Sequence, residues 1–251
     1  MSLLQTRPQL PAVTLVAVTG VALAATLEAL RASLAQADFA EVLLLSDRPP
    51  PSKEPGISWR QIEPIRSRDD YSRFMLRGLV EHIRTPHALC VQWDGYVLDG
   101  SAWDPAFLEY DYVGASWPHF HDDHNVGNGG FSLRSRRVLE ASRELPLDPP
   151  LIEDVIICRR CRPDLERQGI RFASEAVASR FSYERMPPRG DEFGFHGSFN
   201  LVRLLPADQA LRLIRSLEPE LLARSERWEL LGWALRRGRF AFALEMLRRL
   251  A

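Results

Sequence analysis

The stretch AVTLVAVTGVALAATLEALRASLAQADFAEVLLLSD, residues 12–47, determines the fold class. It begins with an apolar run at 12–18, continues with helical spacing over 21–36 and ends with a second apolar run at 41–45. Neither apolar run alternates with polar residues, as a strand with one face in water does. The pattern therefore predicts a strand, a helix and a second, parallel strand in a sheet that is covered on both faces.

Composition indicates a globular protein. Of the 251 residues, 45% are hydrophobic and 26% are charged, so the chain can bury a sizeable core. Lys and Arg number 32 against 33 acidic residues, which gives a net charge of −1. Such a balanced charge provides no field that attracts a polyanion, and we expect no nucleic acid partner.

The cysteines and the N-terminal region bear on location. Three cysteines, Cys90, Cys158 and Cys161, are too few for a disulfide framework and fit a reducing, cytoplasmic compartment. Cys158 and Cys161 form a CxxC, but no second pair at finger spacing accompanies it, which disfavours a zinc site. The uncharged run at 8–27 contains prolines, threonines and a glycine, and it predicts a strand, turn and helix in preference to a membrane anchor.

The remaining chain continues the α/β pattern up to about residue 200. A proline-rich loop is expected at 48–56. The predicted further strands are 57–62, 87–92, 111–115 and 170–173, and the predicted further helices are 69–84, 136–144 and one that begins near 153. From 206 onward the spacing is helical, with a helical hairpin around Gly238. We predict a mixed, mostly parallel sheet flanked by helices in residues 1–200, followed by a small helical appendage in 201–251.

Polar residues directly after predicted strands are the first candidates for function. Ligands of open α/β sheets bind at the carboxyl ends of the strands. Asp94 follows the strand at 87–92, Thr19 and Gly20 follow the first strand, and Asp47 follows the second. We expect these four residues to contact a nucleotide donor, although each is also a common turn residue.

Three later features carry further candidate chemistry. Gly129 and Gly130 form a loop through which backbone N–H groups can approach a ligand, although glycines also make ordinary tight turns. Glu153 and Asp154 begin a predicted helix, where carboxylates are also favoured by the helix dipole. His196 lies between glycines in FGFHG, and a histidine can be a ligand or a structural residue.

The order of these motifs is more specific than any one of them. QWDG at 92–95, YDYVGASWP at 110–118, VGNGGFSLRSRRVLE at 126–140, the ED pair at 153–154 and FGFHG at 193–197 follow one another along the chain. This series resembles a poorly characterised family of bacterial and fungal glycosyltransferase-like domains with the GT-A fold. The resemblance extends from about Val13 to Asn200, and GNGGFSLR is its most specific part.

The resemblance implies a role for each motif. It makes Asp94 the aspartate of a DxD-type element, and it places Gly129 and Gly130 near the donor sugar and the acceptor. Asp154 becomes the acidic residue of an xED motif, and His196 becomes a histidine that binds metal. One departure matters, because position 92 is Gln92 where a DxD element has a second carboxylate. A divalent cation, Mn²⁺ or Mg²⁺, is therefore expected to be held by Asp94 and His196, with Asp99 as an alternative second carboxylate.

Sugar transfer gives these residues a coherent chemistry. A nucleotide sugar leaves a diphosphate whose charge must be neutralised, and the acceptor hydroxyl must lose a proton. Asp154, with Glu153 beside it, provides the predicted catalytic carboxylates, and Asp154 as base implies direct, inverting attack. The predicted function is a glycosyltransferase in glycan or surface polysaccharide assembly, acting on a glycan or a lipid-linked acceptor.

Two other functions and two other regions stay open. A nucleotidyltransferase of related fold would need a basic, glycine-rich loop after the first strand, and AVTGVALAAT has no basic residue. A non-catalytic binding module would act through the basic, aromatic C-terminal helices. The polar loop with His119, His121 and His124 has the spacing of a metal site, but it also fits a flexible lid over the acceptor.

Overall fold

The computed structural model describes residues 7–250. The chain divides into two compact units, the first ending at His196 and the second beginning at Gly197. The sequence-based boundary at residue 200 falls inside the first helix of the second unit, Ser198–Leu204.

Strands and helices alternate through the first half of the first unit. The strands of this unit are β1 (Gln9–Thr19), β2 (Asp38–Ser46), β3 (Ser58–Gln61), β4 (His87–Val91), β5 (Tyr112–Val113), β6 (Phe131–Ser135), β7 (Ser182–Tyr183) and β8 (Gly194–Phe195). Its helices are α1 (Leu23–Gln36), α2 (Arg68–Arg77), α3 (Leu79–His82), α4 (Arg136–Ser142), α5 (Glu153–Val155), α6 (Arg162–Arg167) and α7 (Glu175–Phe181), with a π-helical turn at Ile156–Arg160 between α5 and α6.

The central sheet is mixed and mostly parallel, as predicted. Its six strands lie in the order β3-β2-β1-β4-β6-β5, and β7 pairs with β8 in a separate two-stranded sheet. Strands β1 to β4 are paired in parallel. Strand β6 runs antiparallel to β4 and to β5. The structure therefore confirms the α/β fold class, with helices flanking the sheet.

Both faces of β1 are buried, which explains why its sequence does not alternate. Leu15 and Ala17 pack with Leu27 and Leu30 of α1 on one face. Val16 packs with Met75, Leu79 and other apolar residues on the opposite face. Because successive side chains of a strand point to opposite faces, an apolar residue is needed at every position.

Two predicted elements differ in the structure. The single helix predicted over 69–84 is divided into α2 and α3 at Gly78, whose own backbone N–H still bonds to the carbonyl of Phe74. Glycine is a poor helix residue, and here it also lies against the Phe74 ring, where a Cβ would come within 3.0 Å. The predicted strand at 170–173 is wrong, because only Phe172 forms an isolated bridge, to Tyr112.

The second unit is helical in its described part. It contains α8 (Ser198–Leu204), α9 (Ala207–Ser216), α10 (Arg224–Arg236) and α11 (Phe240–Leu250). Gly238, with a φ of 64°, lies in the short connection between α10 and α11. The left-handed conformation favours glycine there, at the position where the sequence predicts the turn of a helical hairpin.

None of the helices within residues 7–250 is both long and apolar enough to cross a membrane.

We predict a large difference in stability between substitutions at a valine inside β1 and at a valine just after it. Val13 is fully buried, whereas Val21 is 36% exposed. Val13→Ala should lower the free energy of unfolding by about 2 to 3 kcal/mol, because it removes buried methyl groups and leaves a cavity. Val21→Ala, the matched control, should change it by less than about 0.5 kcal/mol. Urea unfolding of the two variants checks this, and equal effects would contradict the buried position of β1.

Candidate functional site

The antiparallel strand β6 brings a loop to the edge of the sheet where the parallel strands end. Val91, the last residue of β4, pairs with Phe131, the first residue of β6. Asp94 follows β4 closely, and Gly129 and Gly130 come directly before β6. The aspartate and the glycine loop therefore meet at one edge, although 35 positions separate Asp94 from Gly129 in the sequence.

His196 lies at the centre of this group. Its Nε2 is 3.4 Å from Asp94 Oδ1 and 3.2 Å from Gln92 Oε1. Its Nδ1 is 3.3 Å from Glu184 Oε1 and 3.1 Å from Asn128 Nδ2. Carboxylates thus face both ring nitrogens, and 15% of the His196 side chain is exposed.

These neighbours favour the protonated form of the His196 imidazole. Burial opposes the charged form, but Asp94 and Glu184 outweigh it and raise the pKa of His196 well above its usual value. In turn, although burial opposes ionisation, the hydrogen bond from His196 lowers the pKa of Glu184. The two carboxylates therefore favour the protonated form of the His196 ring.

The glycines next to His196 are there for space. A Cβ on Gly130 would lie 2.0 Å from His196 Nε2, and a Cβ on Gly95 would lie 2.7 Å from the Phe195 carbonyl oxygen. Neither contact is possible for a real side chain. The glycine loop and the QWDG motif therefore fit around His196 only because both positions lack a side chain.

The N–H groups of the glycine loop are occupied within the protein. Asn128, with a φ of 63°, accepts hydrogen bonds through Oδ1 from the backbone N–H groups of Gly130 and Phe131. The N–H of Gly129 donates to Asp154 Oδ2 at 2.9 Å. These backbone N–H groups are thus hydrogen-bonded within the protein. The predicted contact of the loop with the sugar of the nucleotide-sugar donor stays a prediction.

The carboxylates of Glu153 and Asp154 lie in different environments. Glu153 forms an ion pair of 3.1 Å with Arg134, and their side chains are 7% and 0% exposed. A Cβ on Gly129 would lie 2.1 Å from Glu153 Oε1, so this glycine gives room to the ion pair. Asp154 is only partly buried, and burial, followed by the charge of Glu153, raises its pKa to about 6.

Asp154 is therefore the member of the pair that is suited to exchange a proton. A carboxyl group that titrates near neutral pH is a more effective base than an ordinary one. Glu153, in contrast, forms an ion pair with the buried Arg134. This placement favours a structural role for Glu153 over the predicted catalytic one.

Other predicted residues lie apart from this group. The Thr19 hydroxyl bonds to the backbone of Val21, and a Cβ on Gly20 would lie 2.0 Å from the Ile65 carbonyl oxygen. Asp47 pairs with Arg48 at 3.7 Å. Thr19 is level with Ser46 in the sheet, so Thr19, Gly20 and Asp47 share the edge at which Asp94 lies. Asp99 Oδ1 accepts hydrogen bonds from the backbone N–H and the hydroxyl of Ser101, and its part as an alternative second carboxylate stays a prediction.

Sequence reasoning missed four residues of the site. Tyr71 accepts a hydrogen bond from Gln92 Nε2 at 2.9 Å, and burial raises its pKa. Asn128 and Arg134 shape the glycine loop, and Glu184 contacts His196. Signals existed for Asn128 and Arg134 in GNGGFSLR, but Tyr71 had only the spacing of a packed helix face.

The predicted metal ligands can be tested against the geometry. Asp94 Oδ1 is buried, and within residues 7–250 it has no hydrogen-bond partner. His196 Nε2 lies within 3.4 Å of both Asp94 Oδ1 and Gln92 Oε1. In the same range, no cluster of three or more His, Cys, Asp or Glu side chains could hold a metal. Asp94 and the Gln92 amide oxygen suit Mg²⁺ or Mn²⁺, which bind through one or two carboxylates and complete their shell with water and substrate phosphate, whereas His196 can be a ligand only in its deprotonated form.

The loop that contains His119, His121 and His124 forms hydrogen bonds with Arg159. Both Asp122 oxygens accept hydrogen bonds from this arginine, which lowers the pKa of Asp122 to about 2. His124 lies 3.8 Å from Glu166, and the His119 ring packs against Phe120. The contacts of the loop are thus an ion pair and ring packing.

The CxxC cysteines are also enclosed in the protein. Cys158 and Cys161 are buried free thiols, and burial raises the pKa of both.

The family model described as protein of unknown function (DUF5672) matches residues 58–196. The chain belongs to this family. The matched range includes Asp94, the glycine loop and Asp154, and it ends at His196. None of the curated proteins matches the sequence.

Solved structures with low sequence identity are similar to this DUF5672 chain. One is the galactosyltransferase LgtC in complex with donor and acceptor sugar analogues, with 14% identity, 81% of this chain and 96% of that chain covered and a TM-score of 0.48. Another is the mannosyltransferase PcManGT from Pyrobaculum calidifontis in complex with GDP-Man and Mn²⁺, with 12% identity, 98% and 73% covered and a TM-score of 0.46. A third is a glycosyltransferase involved in glycosylation of the major capsid of PBCV-1, with 14% identity, 74% and 92% covered and a TM-score of 0.47.

We predict that Glu153 contributes mainly to stability. Glu153→Ala leaves the fully buried Arg134 without its counter-charge, and it should lower the free energy of unfolding by about 3 to 5 kcal/mol. Glu140→Ala removes an exposed ion pair with Arg136 and should cost less than about 1 kcal/mol. Chemical unfolding checks this, and a fully stable Glu153→Ala protein would show that the ion pair is dispensable.

Proposed function

We propose that the protein is a glycosyltransferase that transfers a sugar from a nucleotide-sugar donor to the hydroxyl of a glycan or lipid-linked acceptor. The observation that carries the proposal is the meeting of Asp94, Gly130, Asp154 and His196 motifs at the carboxyl edge of the sheet. Their order along the chain is that of the resembled family, and their geometry joins a carboxylate, an imidazolium and a base of raised pKa. Sugar transfer uses all three.

The donor diphosphate is bound beside Asp94. The positive charge of His196 faces the developing negative charge of the leaving diphosphate. Thr19, Gly20 and Asp47 lie along the same edge and contact the nucleotide in this proposal. The imidazolium is held in place by Glu184 on its far nitrogen, so little reorganisation is needed when the diphosphate leaves.

A divalent cation would be held by Asp94 and His196, with the amide oxygen of Gln92 next to them, and it would displace the proton from His196 Nε2, because a metal ligand must be deprotonated. When bound, such a cation supplies further positive charge for the diphosphate. The single carboxylate of the pair makes this a weak protein site, which depends on the diphosphate for its remaining ligands.

The acceptor hydroxyl is deprotonated by Asp154. The hydroxyl oxygen attacks the anomeric carbon and its proton passes to the carboxylate, while the bond from that carbon to the diphosphate oxygen breaks. One attack from the side opposite the leaving group inverts the anomeric configuration. The hydrogen bond from Gly129 orients the carboxylate, so the glycine loop acts as a positioning element for the base.

Nucleoside diphosphates should bind beside Asp94 and raise the unfolding temperature. A ligand at 100 times its dissociation constant stabilises the native state by about 2.7 kcal/mol, which thermal shift detects. We expect Mn²⁺ to strengthen this binding by less than about tenfold, because only one carboxylate holds it.

Asp94→Asn should remove the effect of Mn²⁺ on nucleotide binding. Asp69→Asn, at an exposed carboxylate in the first turn of α2, is the control and should leave both nucleotide and Mn²⁺ effects unchanged. A chelator without influence on binding or turnover would remove the metal from the proposal, and the charge would then fall to His196 alone.

Asp154→Asn should lower sugar transfer by about 10² to 10⁴ and leave nucleotide-sugar affinity nearly unchanged, because it keeps the shape and removes the base. The pKa of Asp154 is raised to about 6, so the carboxylate is ionised above this pH. Transfer by the unchanged protein should therefore rise between about pH 5 and pH 7. The Asn variant should lack this rise.

Release of nucleoside diphosphate in the presence of an acceptor is the measurement. Asp148→Asn, at an exposed carboxylate just before the motif, is the control. Full transfer by Asp154→Asn would refute direct inverting attack. Loss of nucleotide binding or of folding would instead make Asp154 a donor ligand or a structural residue.

A further inference from the structure

A cavity of about 530 Å³ lies beside the β7 strand in the first unit. Its wall includes Ser116, Ser182, Ala176, Met186 and Pro187. The volume falls within the range of about 300 to 1,000 Å³ that small-molecule sites occupy. None of these residues takes part in the site around Asp94.

Two hydroxyl groups of this cavity are buried without a partner. Ser116 is 6% exposed and Ser182 is 2% exposed. Neither Oγ atom has a hydrogen-bond partner within residues 7–250. Leaving a buried hydroxyl unpaired costs free energy, so two such groups in the wall of one cavity indicate a ligand that pairs with them.

The other walls define the chemistry of that ligand. Ala176, Met186 and Pro187 offer apolar contacts. The carboxylate of Glu192 is buried and accepts the backbone N–H groups of Arg189 and Gly190, and Glu175 adds a second negative charge at the wall. Arg189 also lines the wall and donates through Nη1 to Ser179 Oγ, so two carboxylates face one cation there, which disfavours a phosphate or another anion. The wall suits an uncharged ring that has hydroxyl groups along its edge and C–H groups on its face.

Both serines belong to segments that lead directly to the site. Ser116 forms an isolated bridge with Val126, which precedes the glycine loop. Ser182 is followed by Tyr183, whose carbonyl accepts the backbone N–H of His196, and then by Glu184, which contacts the His196 ring. A ring bound in the cavity is thus held by the same segments that hold the glycine loop and His196.

We propose that this cavity binds a pyranose ring of the acceptor saccharide, through the hydroxyl groups of Ser116 and Ser182 and the apolar wall at Ala176 and Met186. That the ring belongs to the acceptor rests on the proposed function. The binding of an uncharged saccharide does not, and it is measured directly.

The experiment uses the methyl glycosides of glucose, galactose and mannose as probes, with saturation-transfer NMR as the readout. At least one should bind with a dissociation constant below about 10 mM. Ser182→Ala and Ser116→Ala should each weaken that binding by about 2- to 10-fold, the effect of one hydrogen bond. Both variants should unfold at the same temperature as the unchanged protein or higher, because each removes an unpaired buried hydroxyl.

Two further variants separate binding from folding. Ala176→Trp, at an exposed position of the wall, should block the cavity without disturbing the core. Ser142→Ala is the matched control, since this buried hydroxyl bonds to the Val138 carbonyl and lies in α4. It should lower the unfolding temperature and leave saccharide binding unchanged.

Some outcomes would overturn the inference. It is wrong if none of the three glycosides binds, if binding ignores both serine variants and Ala176→Trp, or if inorganic phosphate competes for the cavity. Thermal shift with nucleoside diphosphates on the same samples keeps the two proposals apart. A protein that binds the glycoside but no nucleotide retains this inference and loses the proposed function, and the reverse result does the opposite.

Discussion

The antiparallel pairing of β6 with β4 is the constraint on which the site depends. In an all-parallel sheet, the loop before a strand lies at the opposite edge from the loop after its neighbour. Reversal of β6 brings GNGG to the edge at which Asp94 lies. Arg134 in the same strand then binds Glu153, so one reversed strand fixes the glycine loop and the two carboxylates together.

Close approach, more than hydrogen bonding to a ligand, explains the glycines. Gly130 and Gly95 surround the His196 ring, and Gly129 faces the ion pair of Glu153. The N–H groups of Gly129 and Gly130 are taken by Asp154 and Asn128. These glycines therefore leave room for the His196 ring. A methyl group added at Gly95 or Gly130 would collide with His196 or its neighbour.

The sequence contained enough information for the sheet but less for the site. Continuous apolar runs identified the doubly covered strands, because burial on both faces leaves no polar position. Gly78 divided a helix that looked continuous, since apolar spacing alone does not reveal a break. Tyr71 contacts Gln92 across 21 positions of the sequence and Glu184 contacts His196 across 12, and no local pattern records contacts at such separations.

The distance along the chain between Asp94 and His196 has a consequence for synthesis. A ribosome adds about 5 to 20 residues per second, so the 104 residues that separate Gln92 from its partner His196 take roughly 5 to 20 s to appear. In the later part of that interval the nascent chain contains the Asp94 carboxylate and the glycine loop but still lacks the His196 ring that they enclose. The centre of the site is thus completed last, after every strand of the main sheet has been made.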